Sequence, residues 1–179
     1  MTIISDEQIA YIRDGGVIAY PTSTLPGLGC IPTKEGLDAL FTLKSRSADK
    51  PVSLGVASLQ QVEALVDIDA RIIEFVDAFP RGGLSVIYPA KETQDVRLGG
   101  DAIAIRVFDH PVARALAEAV GPVTATSANE AGEEPADSVA EAGGELGLPE
   151  IAIVHGNRAT GPGSTFVKID FTNDEPLVT

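Results

Sequence analysis

Val17-Ile18-Ala19-Tyr20-Pro21-Thr22-Ser23-Thr24-Leu25-Pro26-Gly27-Leu28-Gly29-Cys30 is the stretch from which the fold can be read. Its first four residues are apolar and partly β-branched, bounded by Gly15-Gly16 and Pro21, which predicts a short buried strand. Thr22, Ser23 and Thr24 then place three hydroxyls at the strand's end, enclosed by Pro21 and Pro26 and followed by Gly27 and Gly29. Small polar groups and glycines at a strand end let a ligand approach the backbone closely. The same residues are ordinary turn formers, so the stretch by itself also reads as a plain turn.

Outward from that strand, helices and strands alternate. Ser5 to Arg13 predicts a first helix with Ile9 and Ile12 inward, and Thr33 can cap a second that runs to about Ser45. Leu37, Leu40, Phe41 and Lys44 share one face of it. Val52–Val56, Leu84–Tyr88, Ile103–Val107, Val123–Thr126, Ile151–Val154 and Thr165–Ile169 read as strands, and Pro176–Thr179 as an edge strand. Helices are expected from Ser58 through Leu65, over Ala70–Phe79, from Pro111 to Val120, and from a Ser138/Glu141 capping box to Leu146. Lys91 to Asp101 reads as a surface excursion, and His155 to Gly163 as a Gly-rich join. The pattern is α/β: residues 1–179 as one domain, with a twisted, open, mixed sheet and helices on its faces.

Composition narrows the function. The 179 residues carry 26 acids against 13 bases, a net charge of −13, which disfavours nucleic-acid binding by bulk electrostatics. Scarce lysine and abundant small residues fit a proteome adapted to high salt, while a basic partner is the other source of such an acidic surface. No apolar run is long enough for a bilayer and no signal peptide is evident, so a cytoplasmic protein without membrane contact is expected. Cys30 has no partner cysteine, and the isolated His110 and His155 predict no metal site. Gly161-Pro162-Gly163-Ser164-Thr165 lacks the lysine of a phosphate loop and runs into a strand.

Two clusters stand out. Lys44, Arg46 and Lys50 gather three cations within seven residues, either as partners of a helix C-terminus or as holders of phosphate or carboxylate at a sheet edge. Ser127-Ala128-Asn129 ends an apolar strand, as a turn or as a second set of ligand contacts. With Pro21-Thr22-Ser23-Thr24, Ala104-Ile105-Arg106-Val107 and Gly163-Ser164-Thr165-Phe166, these elements occur in an order that resembles the YrdC-like family of threonylcarbamoyl-AMP synthases, from about Ser5 to Asp170.

The resemblance implies a YrdC-like fold with a large concave site using ATP, L-threonine and bicarbonate, with Mg²⁺ arriving on the ATP. It implies that threonine's carbamate attacks the α-phosphate and that pyrophosphate leaves. Threonylcarbamoyl-adenylate then passes to a separate transferase machinery that modifies tRNA; direct tRNA binding is left open. By likeness Lys44 and Arg46 are the catalytic pair, facing solvent in the empty site. Thr24, Lys50, Arg106, Ser127, Asn129 and Ser164 are substrate and ATP contacts. The chain departs from the family pattern at Ser23, Pro26 and Phe79-Pro80-Arg81-Gly82-Gly83. Those departures leave an alternative, a YrdC-like nucleotide- or RNA-binding module without synthase activity; related domains in hydrogenase-maturation proteins suggest carbamoyl transfer to another acceptor as a third.

Overall fold

Local sequence explains most of the elements in the computed structural model, which describes residues 3–157, 162–172 and 175–179. Ser5 and Gln8 form a full capping box that starts α1 (Asp6–Arg13), with Ile12 buried. Thr33 accepts a hydrogen bond from the Gly36 N–H and starts α2 (Lys34–Leu43), whose buried stripe is Leu37, Leu40 and Phe41. Asp69 caps α3 (Ala70–Asp77). His110 caps α4 (Pro111–Val120) through its ring Nδ1, with Pro111 at the first helical position. Ser138 caps α5 (Val139–Glu145), but the Glu141 carboxylate accepts from the Asp137 N–H rather than closing a box on Ser138.

The strands are β1 (Ile18–Tyr20), β2 (Gly27–Gly29), β3 (Ser53–Val56), β4 (Leu84–Pro89), β5 (Ala102–Val107), β6 (Val123–Ser127), β7 (Thr165–Thr172) and β8 (Glu175–Val178). They form one open eight-stranded sheet in the order β1-β2-β6-β3-β5-β4-β7-β8. Only β3/β5 and β4/β7 pair in parallel, so the sheet is mixed, as expected.

Three expectations are corrected. Gly27–Gly29 is a strand paired on both sides, with β1 and β6, not part of a loop. A Cβ at Gly27 would meet the Tyr20 ring and the Thr22 methyl at 2.9 Å, so the packing of these side chains requires glycine here. The helix expected from Ser58 is a 3₁₀ turn at Leu59–Val62, with no side-chain cap on Ser58. The strand expected at Ile151–Val154 is a 3₁₀ turn at Glu150–Ala152, followed by one bridge from Ile153 to Ala19. The Gly-rich join at 155–163 falls outside the described residues at 158–161.

Alternation along the strands sorts the two faces of the sheet. Ala19, Leu28, Leu54, Ile105, Val86 and Val167 pack into one core with residues of α2, α3 and α5. Ile18, Tyr20, Val123 and Phe108 build a second core with α1 and α4. On that second face, the described helices cover the β1 side of the sheet and leave Arg106 and Phe166 to line an open cleft.

Within the second core Phe108 lies edge-on to Tyr20, 5.7 Å between ring centroids, and over Gly55 of β3. A Cβ at position 55 would fall 1.9 Å from the Phe108 ring, and a central β-strand cannot retreat from it. Gly55→Ala should therefore lower unfolding free energy by about 1–3 kcal/mol in urea denaturation. An unchanged midpoint would show that Phe108 is free to move.

Candidate active site

The cleft is a cavity of about 270 Å³. Its walls are the 22–27 turn, the end of β6, Arg46 with Pro51–Ser53, Arg106 of β5, and 163–166. Its polar wall is wired from within. The Thr22 hydroxyl donates to the Leu25 carbonyl at 2.6 Å and accepts from the Thr24 N–H at 3.1 Å. With that proton committed, the 3.2 Å contact between the two threonine hydroxyls runs from Thr24 to Thr22. Thr24 Oγ1 is then the acceptor for Arg106 Nη2 at 2.7 Å.

Arg106 is 7% exposed, and its Nε donates to the Gly82 carbonyl at 2.9 Å. Burial lowers its pKa, yet a guanidinium stays charged. Gly82 has φ +76°, and a Cβ there would meet Ser23 Oγ at 2.4 Å. Two of the departures from the family pattern, Ser23 and the Phe79–Gly83 segment, thus touch each other beside Arg106. Pro26, the third, lines the cavity and accepts the Ala128 N–H at 2.8 Å, which carries the β2/β6 pairing one step further.

Arg46 is half-buried and lines the same cavity. Its Nε donates to the Lys50 carbonyl at 2.7 Å and its Nη2 to the Pro51 carbonyl at 3.0 Å, so it closes its own loop into a ring. Among the described residues neither Arg46 nor Arg106 has a carboxylate partner, whereas Arg97 binds both Asp38 and Asp95. In a chain of net charge −13, two guanidiniums lining one cavity without a carboxylate partner among the described residues offer the chemistry that would pair with an anion.

The other expected residues divide. Ser127 lines the cavity, as does Ser164, whose hydroxyl pairs with that of Ser85 at 2.9 Å. Lys50 is exposed and outside the lining, and only its carbonyl engages Arg46. Asn129 also stands outside it. Its Nδ2 donates to the carbonyls of Glu130 and Glu133, and its buried Oδ1 has no protein donor.

Lys44 is the clearest correction, because it is not solvent-facing but 1% exposed. Its Nζ donates at 2.5 Å to the carbonyls of both Ser127 and Asn129. Cys30 is buried, its thiol pushed up to about 11 by that burial, which suits packing rather than attack. Phe166, quoted in its motif but given no role, is 57% exposed on the cavity wall. An exposed aromatic beside a Gly-Ser-Thr run was the signal for it.

An open mixed sheet with helices on its faces, and with strand-end hydroxyls and two arginines in one cleft, defines an α/β protein with a polar cleft at the sheet face. The Sua5/YciO/YrdC family model, described as "Telomere recombination", matches residues 10–179, and the chain belongs to that family. It is 43% identical over 132 residues to a threonylcarbamoyl-AMP synthase of Marinobacter nauticus, covering 70% of this chain and 69% of that one. Against the protein of the same name from Cellvibrio japonicus it is 40% identical over 151 residues, with 75% and 76% covered. The crystal structure of P. abyssi Sua5 complexed with L-threonine superposes with a TM-score of 0.81 at 31% identity, covering 90% of this chain. The chain spans half the length of that Sua5.

Arg106→Lys keeps the charge but loses the fixed fork whose separate Nε and Nη2 reach Gly82 and Thr24. Calorimetric affinity of the cleft for pyrophosphate should fall roughly tenfold or more, as for loss of a charged hydrogen bond. Unchanged affinity would remove Arg106 from the anion site.

Proposed function

We propose that this chain is an L-threonylcarbamoyladenylate synthase, making threonylcarbamoyl-AMP and pyrophosphate from ATP, L-threonine and bicarbonate. The observation that carries the reading is the pair of arginines lining one cavity, neither with a carboxylate partner among the described residues. The names of the relatives at 40–43% identity and the threonine in the Sua5 complex support it.

The chemistry asks for positioning more than for covalent help. Bicarbonate and the threonine amine give a carbamate, whose oxygen attacks the α-phosphorus while pyrophosphate departs. Arg46 offsets phosphate charge. Arg106, held by Gly82 and Thr24, stabilises the carboxylate or the anion that develops. Ser127 and Ser164 supply hydroxyls, and Phe166 offers a flat wall for the adenine. Among the described residues no carboxylate lines the cavity, so Mg²⁺ would be held by the phosphates of ATP and by water. The product would go to a threonylcarbamoyl transferase acting on tRNA in the cytoplasm. Among the described residues no helix is long and apolar enough to cross a membrane.

Pyrophosphate release should require ATP, threonine and bicarbonate together and stop when any one is omitted. Serine should compete poorly but measurably, since one methyl group is worth only ~1–3 kcal/mol in a pocket. ATP binding with no turnover of either amino acid would replace the synthase by the nucleotide-binding module.

A further inference from the structure

The Lys-Ser-Arg element sends its two cations in opposite directions. Arg46 lines the cavity, while Lys44, at the C-terminal cap of α2, is buried and absent from the lining. We propose that Lys44 is a positioning residue: its ammonium pins the end of β6 by two main-chain carbonyls, holding Ser127 at the cleft wall without touching either substrate. The proposal rests on the cleft being the synthase site.

The hydrogen bonds support this assignment. Lys44 Nζ reaches the Ser127 and Asn129 carbonyls, both at 2.5 Å, which commits two of an ammonium's three donors. Main-chain Lys44 adds a third tie, its carbonyl accepting the Ala131 N–H at 3.0 Å. From the other side the Pro26 carbonyl accepts the Ala128 N–H at 2.8 Å, and Ser127 sits opposite Gly27 in the β2/β6 ladder. The segment 127–131 is therefore clamped between α2 and the 22–26 turn.

A buried ammonium must recover its lost hydration from nearby acceptors. No carboxylate answers Lys44 among the described residues, so these two carbonyls are its compensation. Burial, with a smaller contribution from Arg46, draws its pKa down to about 8. Turning Lys44 toward a phosphate would take this donor from the Asn129 carbonyl and leave the Ser127 carbonyl with only the Asn129 N–H, at 3.0 Å.

Lys44→Met tests the assignment by separating phosphate contact from positioning. ATP, AMP and adenosine affinities, measured by calorimetry, should all fall by a similar factor, because release of the clamp moves the Ser127 wall for every ligand that packs against it. Amide hydrogen exchange at 127–131 should speed up, while exchange in β4 and β7 stays as it was. A loss for ATP or AMP with adenosine unaffected would make Lys44 a phosphate ligand and overturn the proposal. If the variant does not fold, the wild-type protein decides. The ¹⁵N resonance of Lys44 Nζ should keep its hydrogen-bond couplings to carbonyls 127 and 129 when ATP is added, and exchanging them for coupling to phosphorus would refute the clamp. If wild-type protein binds neither nucleotide, the synthase reading falls, and the exchange measurement still tests the clamp.

Discussion

A charged amine buried against two carbonyls is the interaction on which the site depends. Lys44 joins the end of α2 to the end of β6, two elements more than eighty residues apart in the chain. The elements that wall the cleft are held to that joint. Ser127 is fixed by the carbonyl it offers, Pro26 by its bond to Ala128, and Arg46 follows Lys44 by two residues. An unpaired ammonium in that position would be costly, which is why the carbonyls must be in place for the region to pack. The backbone also bends to suit: Ser45 takes φ +50°, the left-handed conformation that ends many helices and turns the chain toward the cavity.

The second constraint is electrostatic. A protein with twice as many acids as bases has carboxylates enough to neutralise every arginine, and Arg97 shows what that looks like, with Asp38 and Asp95 both within 2.7 Å. Arg46 and Arg106 are instead tied to neutral carbonyls and hydroxyls. Those contacts fix direction without cancelling charge, so the cations are aimed and ready to meet an anion. Desolvation of Arg106 adds to this, because a charge with little water around it interacts more strongly with a ligand that enters.

Much of the fold was legible because periodicity and caps agree. The stripes of α2 and α4, the Thr33 and Ser138 caps and the apolar strands other than the one expected at Ile151–Val154 stand where local chemistry predicts them. The strand β2 was hidden because Gly-Leu-Gly has almost no side chains to show alternation, and its glycines serve the Tyr20 ring instead. The Leu59–Val62 turn kept only part of a helical pattern, since a tight 3₁₀ turn shares the first few spacings of a helix. At the site, Lys44 carried its own correction. It lies seven residues after Leu37 and four after Leu40, on the buried stripe, so its depth was readable from the same spacing that placed the helix. What no spacing could give is the pairing of its ammonium with carbonyls on β6, which exists only once the sheet has formed.

The central claim is that this cleft, on the sheet face that α1 and α4 leave open, receives ATP and threonine. Backbone amide shifts mapped by NMR as ATP and then L-threonine are added test it most directly. The account predicts perturbation at 22–27, 46–53, 106, 125–128 and 163–166. Shifts confined to the opposite face, around Leu59, Val76 and Tyr88, would contradict it.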